Sequence, residues 1–305
     1  MWPSRVAQLT SIENALRNHA ATRRPLPGIA TSQALRTLAM QFVASLRREE
    51  YHRHLARRPA VAERADPNSP IFDAERAVAY HVQHGNVEEA CWLIFLMTHF
   101  GKPADSGWLR LKGVYGRLGL GCWDWQTVAA NPDRFFEWYR RNWARVGGRF
   151  GNHRKYESLR PTANRNFEKV VRAYLAWIGS SGHRAFFASS VRRMGNDPHV
   201  IFDGLYRSMR VTSFGRLAKF DYLMMLARYG IIPAAPGSAY LDQATGPAEG
   251  TRLLFDGQRS STTANAQLQG ALDELGTSLG VGMEVLEDAI CNWQKSSQAF
   301  VHFKG

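Results

Sequence analysis

Three observations predict a mostly α-helical fold. Strand signals are scarce, with few β-branched runs and no Asn-Gly hairpin pair. Helix start and stop residues punctuate nearly the whole chain. The long apolar stretches also follow a helical rather than an alternating period. No internal repeat is visible.

With 305 residues, the chain is long enough to bury a substantial core as one large domain or as two lobes with a cleft. Its formal charge is +13, with a pI near 10.0 and arginine the main cation. That balance points to a polyanionic partner, since guanidinium groups fork onto phosphates and stack on bases. Cys91, Cys122 and Cys291 are widely spaced, which argues against a disulfide scaffold, a zinc ribbon or a Cys-ligated iron–sulfur cluster. The amino terminus lacks an apolar signal core, and CWLIFLM (91–97) is too short to span a bilayer. A cytoplasmic protein is expected.

Residues 1–65 read as basic and helical, interrupted at Pro25, Pro27 and Gly28, and Asp66–Pro70 reads as a linker. The expected division is therefore a basic helical extension over 1–70 and a larger helical domain over 71–305. A helical pattern begins at Ala74. Asn86 and Glu89 form a capping box for an almost wholly apolar core helix that Gly101 ends. His81 and His84 precede it without the acidic or Cys partners a metal would need. Gly116-x-x-Gly119-x-Gly121 has the wrong order for a dinucleotide fingerprint, and no NTPase phosphate loop follows. No nucleotide-cofactor motif occurs.

The segment Arg134–Arg172 holds eleven Lys/Arg against three Glu, with Trp138, Tyr139, Trp143, Phe150, Tyr156 and Phe167 interleaved. Cations beside flat rings suit phosphate contact and base stacking, although many of these arginines taken singly fit a solvated helix face. The centre, FGNHRKY (150–156), reads as a ligand-touching loop that presents Asn152, His153, Arg154, Lys155 and Tyr156, with Arg149 beside it.

Leu205–Gly230 reads as a helix, a tight turn at Thr212–Gly215, and a second helix from about Arg216 to Tyr229 stopped by Gly230. Backbone N–H groups around Ser213 and Gly215, with Arg210, Arg216 and Lys219 nearby, can converge on a phosphate. The second helix is apolar on nearly every side yet carries Asp221. A carboxylate there is either paired internally, to Arg228 or Arg216, or placed in a cleft with a shifted pKa.

Pro233–Gly237 breaks the pattern, Ser238–Gly250 reads as a loop containing Asp242, and 257–267 reads as an exposed connection. The last helix, Val281–Lys295, sets Glu284, Asp288, Asn292 and Lys295 opposite an apolar face that includes Trp293. That row is either a surface stripe or a cleft wall.

FGNHRKY (150–156), SFGRLAKFDYL (213–223), ATGP (244–247) and LEDAICNWQK (286–295) resemble the α-glutamyl/putrescinyl-thymine pyrophosphorylase family, over roughly residues 75–305. Members of that family are linked to hypermodified bases in phage DNA, and some are similar to helix-hairpin-helix DNA glycosylases of antiphage defence. The resemblance implies a helix-hairpin-helix glycosylase-like domain in which Thr212–Gly215 grips a DNA phosphate. The usual hairpin has glycine on both sides of an apolar residue, whereas here Ser213 takes the first place. The superfamily's essential Asp follows the hairpin by a little over twenty residues, which brings Asp242 close to that place without coinciding. No lysine occupies the Schiff-base position, so water is the expected nucleophile.

The implied chemistry needs a carboxylate near C1′, donors for the departing base, and a pocket for a nucleotide turned out of the stack. Asp221, Asp242 and Asp288 are the candidate carboxylates, and Asn152, His153, Asn292 and Lys295 the candidate base contacts. Tyr156 and Trp293 are candidate stacking surfaces. Ser213, Gly215, Arg216, Lys219, Arg149, Arg154, Lys155 and Arg210 are candidate DNA contacts. A monomer acting on double-stranded DNA with modified bases, without metal or cofactor, is expected. The alternatives are a transferase acting on an activated 5-hydroxymethyl pyrimidine and a non-catalytic reader of modified DNA.

Overall fold

A computed structural model describes residues 2–303, and the structural statements below refer to these. They form fifteen α-helices joined by turns and short 3-10 segments, with no strand beyond one isolated bridge between Ser158 and Asn166. The expected mostly α fold is found.

The helices are α1 (Val6–Thr22), α2 (Ser32–Arg57), α3 (Ala62–Ala65), α4 (Ala74–Gln83), α5 (Val87–Phe100), α6 (Leu109–Tyr115), α7 (Trp125–Ala130) and α8 (Pro132–Asn142). They continue as α9 (Phe167–Ile178), α10 (Gly182–Met194), α11 (Pro198–Ser208), α12 (Arg216–Arg228), α13 (Thr245–Asp256), α14 (Asn265–Leu279) and α15 (Met283–Trp293). Many starts are set by a side chain that accepts a first-turn N–H: Asp73 for α4, Asn86 for α5, Asp124 for α7, Asn166 for α9 and Asp197 for α11. Gly101 and Gly230 end or follow their helices with φ of 68° and 71°, a region that glycine enters without strain.

The chain divides into two compact units, and it passes from the first to the second within α2. One unit contains residues 2–51 and 235–303, the other 52–234. In the first, α1, α13, α14 and α15 pack with the amino-terminal part of α2 around a continuous apolar core. Leu16, Leu38, Phe42, Leu254, Leu275 and Trp293 are almost completely buried there.

In the second unit α5 is the central rod, packed by α4, α6, α7, α10 and α12. Its residues from Glu89 to Phe100 are all buried, as the unbroken apolar run requires. Aromatic rings fill the space around it. Phe95 stacks on Tyr174 at 3.8 Å and on Phe214 at 5.4 Å, and the Trp92 indole N–H donates to the Trp123 carbonyl at 2.8 Å.

Some expectations need correction. Asn86 caps α5 as predicted, but the Glu89 carboxylate does not complete the capping box. It accepts instead from the Tyr115 hydroxyl and the Trp125 backbone N–H, both at 2.7 Å. Ser238–Gly250 is loop only as far as Ala244, because α13 begins at Thr245. The connection expected over 257–267 ends where α14 begins, at Asn265. Both helices start on an extended residue with no side-chain cap, so the capping signal that marks α4, α5, α7, α9 and α11 is missing.

Candidate active site

The turn between α11 and α12 is built on Phe214. Its ring is buried against Phe95, which pulls the chain inward and holds Ser213 at φ 65°, a left-handed conformation uncommon outside glycine. Gly215 then leads into α12 with no side-chain cap. First-turn N–H groups of a helix have no intrahelical acceptor, so this end carries a partial positive charge.

The loop 150–156 is fixed to the end of α5. Gly151 N–H donates to the Phe100 carbonyl at 2.8 Å, and a Cβ added at Gly151 would come within 3.1 Å of the Gly101 Cα. Only glycine allows these two backbones to approach so closely. From the pinned loop Arg154 turns inward. Its Nε donates to the Thr98 carbonyl at 2.8 Å, its guanidinium lies over the Phe214 ring at 5.8 Å, and its side chain is only 10% exposed.

Asp221, one turn into α12, faces this guanidinium at 3.6 Å, with its own side chain 46% exposed. The expected internal partners were Arg228 and Arg216. The closest cation is Arg154, and Arg228 and Arg216 act on Asp221 only as weaker, more distant charges. Burial of the carboxyl raises its pKa above the ordinary value, while Arg154, His153, Arg228 and Arg216 pull it partly back. Protein crowds the carboxyl on several sides, and one face stays open.

A second carboxylate, Glu157, lies beside this group. Its side chain is 4% exposed, and Arg165 approaches one oxygen at 3.6 Å. Burial raises its pKa, opposed by the Ser213 hydroxyl, Arg165 and Arg154. Sequence reading counted Glu157 only as an offset to the surrounding charge. An acidic residue directly after FGNHRKY, within so basic a segment, was the available signal.

The remaining candidates of this unit differ in exposure. Asn152, His153, Lys155, Arg149 and Arg210 are exposed, and Tyr156 is 70% exposed with the Lys155 ammonium 5.2 Å from its ring. Arg149 is ion-paired with Asp105, and it lines a pocket of about 510 Å³ together with Asn152 and Lys155. Arg216 is buried, its guanidinium 5.6 Å from the Phe220 ring. Lys219 donates to the Tyr206 carbonyl at 3.3 Å, and burial lowers its pKa.

Behind Asp221 a buried polar chain steadies α12. The Tyr222 hydroxyl is 2.8 Å from that of Tyr174, which is 2.7 Å from His183 Nε2. His183 Nδ1 is 2.8 Å from Glu88, whose carboxylate also accepts the His183 and Arg184 backbone N–H groups at the start of α10. These bonds hold the Glu88 pKa down at about 2 against burial, which acts to raise it. The adjacent Glu89, more deeply buried, is pushed up to about 7.

Asp242, Asp288, Asn292, Trp293 and Lys295 belong to the other unit. Asp288 accepts from the Ser45 hydroxyl at 2.5 Å, from Arg48 Nε at 2.9 Å and from Asn292 Nδ2 at 2.8 Å. Lys295 in turn donates to Asn292 at 2.9 Å. Asp242 is exposed and accepts from Asn265 at 2.8 Å. Trp293 is completely buried in the core of its unit.

Among the described residues no group of three or more His, Cys, Asp or Glu is arranged to hold a metal ion, and no helix is long and apolar enough to cross a membrane. No curated protein and no solved structure matches the chain. One family model does, over residues 33–305, and so covers most of α2, ahead of where the resemblance begins. The chain therefore belongs to the enzyme family described as alpha-glutamyl/putrescinyl thymine pyrophosphorylase clade 3.

Proposed function

We propose that this protein is a DNA N-glycosylase that excises a bulky hypermodified pyrimidine, such as glucosylated 5-hydroxymethylcytosine, from phage DNA and leaves an abasic site. The observation that carries the reading is Asp221, a half-exposed carboxylate of raised pKa beside Arg154 and close to the turn that ends at Gly215. The family's name, which concerns thymine derivatives, supports a modified pyrimidine as the target.

In this mechanism the turn at Ser213–Gly215 and the exposed cations Arg210, Arg149 and Lys155 hold the strand by its phosphates. The target nucleotide leaves the stack, with Tyr156 as an exposed ring available to the strand. Asp221 stabilises the positive charge that develops at C1′ and directs a water molecule to it. Its raised pKa makes it a stronger base than an ordinary aspartate, and the Arg154 cation beside it favours the ionised form. In this mechanism the turn plays the part of a helix-hairpin-helix.

Incubation of the purified protein with hypermodified phage DNA tests it. Free modified base and abasic sites are expected. Intact DNA and no free base at stoichiometric enzyme would overturn the reading.

The family name also favours a second reading, a transferase that places an amine on an activated 5-hydroxymethyl pyrimidine in DNA. Under that reading nucleoside mass spectrometry finds a heavier nucleoside and no missing base.

A further inference from the structure

Ser213 holds a backbone conformation that its own side chain disfavours. At φ 65° it lies in the left-handed region, where a Cβ crowds the chain and glycine is the usual occupant. The turn around it is tight. Phe214 N–H donates to the Val211 carbonyl and Gly215 N–H to the Ser213 carbonyl, both at 3.1 Å. A conformation of this kind persists where the surroundings over-determine it.

The holding group is Glu157, whose carboxylate accepts the Ser213 hydroxyl. A bond to a buried, charged acceptor is stronger than one made at the surface. Glu157 is itself anchored. Its backbone N–H donates to the Arg154 carbonyl at 2.9 Å, Ser158 N–H donates to the Arg165 carbonyl at 3.0 Å, and Phe167 N–H donates to the Ser158 carbonyl at 3.1 Å. The Tyr139 hydroxyl adds a bond to the Leu159 carbonyl at 2.5 Å. The segment that supplies Arg154 to Asp221 thus also supplies the support for the turn.

We propose that Glu157 is a positioning residue: by holding the Ser213 hydroxyl it keeps the turn in the form whose N–H groups grip a DNA phosphate. The proposal rests on the role given to the turn in the glycosylase reading above. Glu157 acts through Ser213 and does not touch the DNA.

The test is a double-mutant cycle read by fluorescence anisotropy on an unmodified DNA duplex, with thermal unfolding of each variant as a check. Glu157→Leu is expected to bind about tenfold more weakly, the loss of one bond to a charged acceptor. Charge alone predicts the opposite, because deleting an acid from so basic a protein strengthens phosphate binding. Ser213→Ala, which cuts the bond from its other end, is expected to lose as much. Glu157→Gln keeps an acceptor and is expected to keep most of the affinity. Ser213→Gly enters the left-handed region unaided and is expected to bind as tightly as the wild type. In that background Glu157→Leu is expected to cost nothing further. Wild-type affinity in Glu157→Leu or Ser213→Ala, or a Glu157→Leu loss that persists beside Ser213→Gly, overturns the proposal.

Duplex binding is measured apart from base release. The expected cycle without release would keep the latch and sink the glycosylase, while release with a flat cycle would do the opposite.

Discussion

Asp221 and Asp288 are both helical aspartates facing an arginine, and they are held in opposite ways. Asp288 is saturated: Ser45, Arg48 and Asn292 all donate to it, and Arg48 forms a close ion pair with it. Asp221 has one looser contact, 3.6 Å from Arg154, and a raised pKa. A carboxylate whose lone pairs are already occupied fixes structure, whereas one left open and desolvated can accept a new partner. The contrast makes Asp221 the better choice for chemistry and Asp288 the better choice for a structural tie.

The sharpest way to break this comparison is to neutralise each carboxylate in turn. Asp221→Asn is expected to slow base release by about a thousandfold, several kcal/mol of transition-state stabilisation, while DNA affinity stays nearly constant. Asp288→Asn is expected to act on stability, by about 1–3 kcal/mol, because Arg48 loses its counter-charge. Rates from single-turnover assays and midpoints from thermal unfolding separate the two. A large catalytic loss at Asp288 with none at Asp221 would reverse the assignment.

The next effect is on pH dependence. The chemistry needs ionised Asp221, so activity should fall as pH drops through its raised pKa, above where an ordinary aspartate titrates. Arg154→Met removes the cation that lowers that pKa and should move the acidic limb of the rate profile to higher pH. An unmoved limb would mean that another group sets it.

Glu88 provides a stability test in the unit that carries Asp221. Its folded pKa of about 2 lies below the unfolded value of 4.5, so its contribution is present above pH 4.5 and disappears as pH falls toward 2. With a third of the side chain exposed, the contribution is about 2 kcal/mol. Glu89 has the opposite sign. Its folded pKa of about 7 gives stability that is full below pH 4.5 and lost as pH rises through 7. Glu88→Gln should flatten the acid side of the stability profile, and Glu89→Gln the neutral side, as measured by denaturant unfolding at each pH.

The smallest expected effect is on binding. Lys155→Ala and Arg210→Ala remove exposed cations, and each should weaken DNA affinity for all sequences alike and reduce the salt slope by about one. A fluorescence anisotropy titration across salt concentrations reads this directly.

Local chemistry made much of the fold readable in advance. Asn86 and Gly101 bound the buried helix α5 because a capping side chain and a left-handed glycine act within one turn of where they stand. α13 and α14 were harder to place, since neither Ala244 nor Ala264 offers a capping side chain. The candidate site divides in the same way. That Asp221 needed a partner followed from its apolar neighbours on one helix, but the partner itself, Arg154, comes from a remote loop that local spacing does not reach. Arg48 opposite Asp288, and Ser213 beside Glu157, were hidden for the same reason. Inward-turned arginines such as Arg154 and Arg216 look identical in sequence to exposed ones. Their packing against Phe214 and Phe220 sets them apart from the exposed Arg149 and Arg210.

The central claim is most directly tested by single-turnover release of glucosylated 5-hydroxymethylcytosine from phage DNA, with the wild-type and Asp221→Asn proteins measured side by side. The account predicts free base and abasic sites from the first and about a thousandfold slower release from the second at comparable DNA binding. Equal release by the two proteins would contradict the role of Asp221, and no release by the wild type would contradict the glycosylase itself.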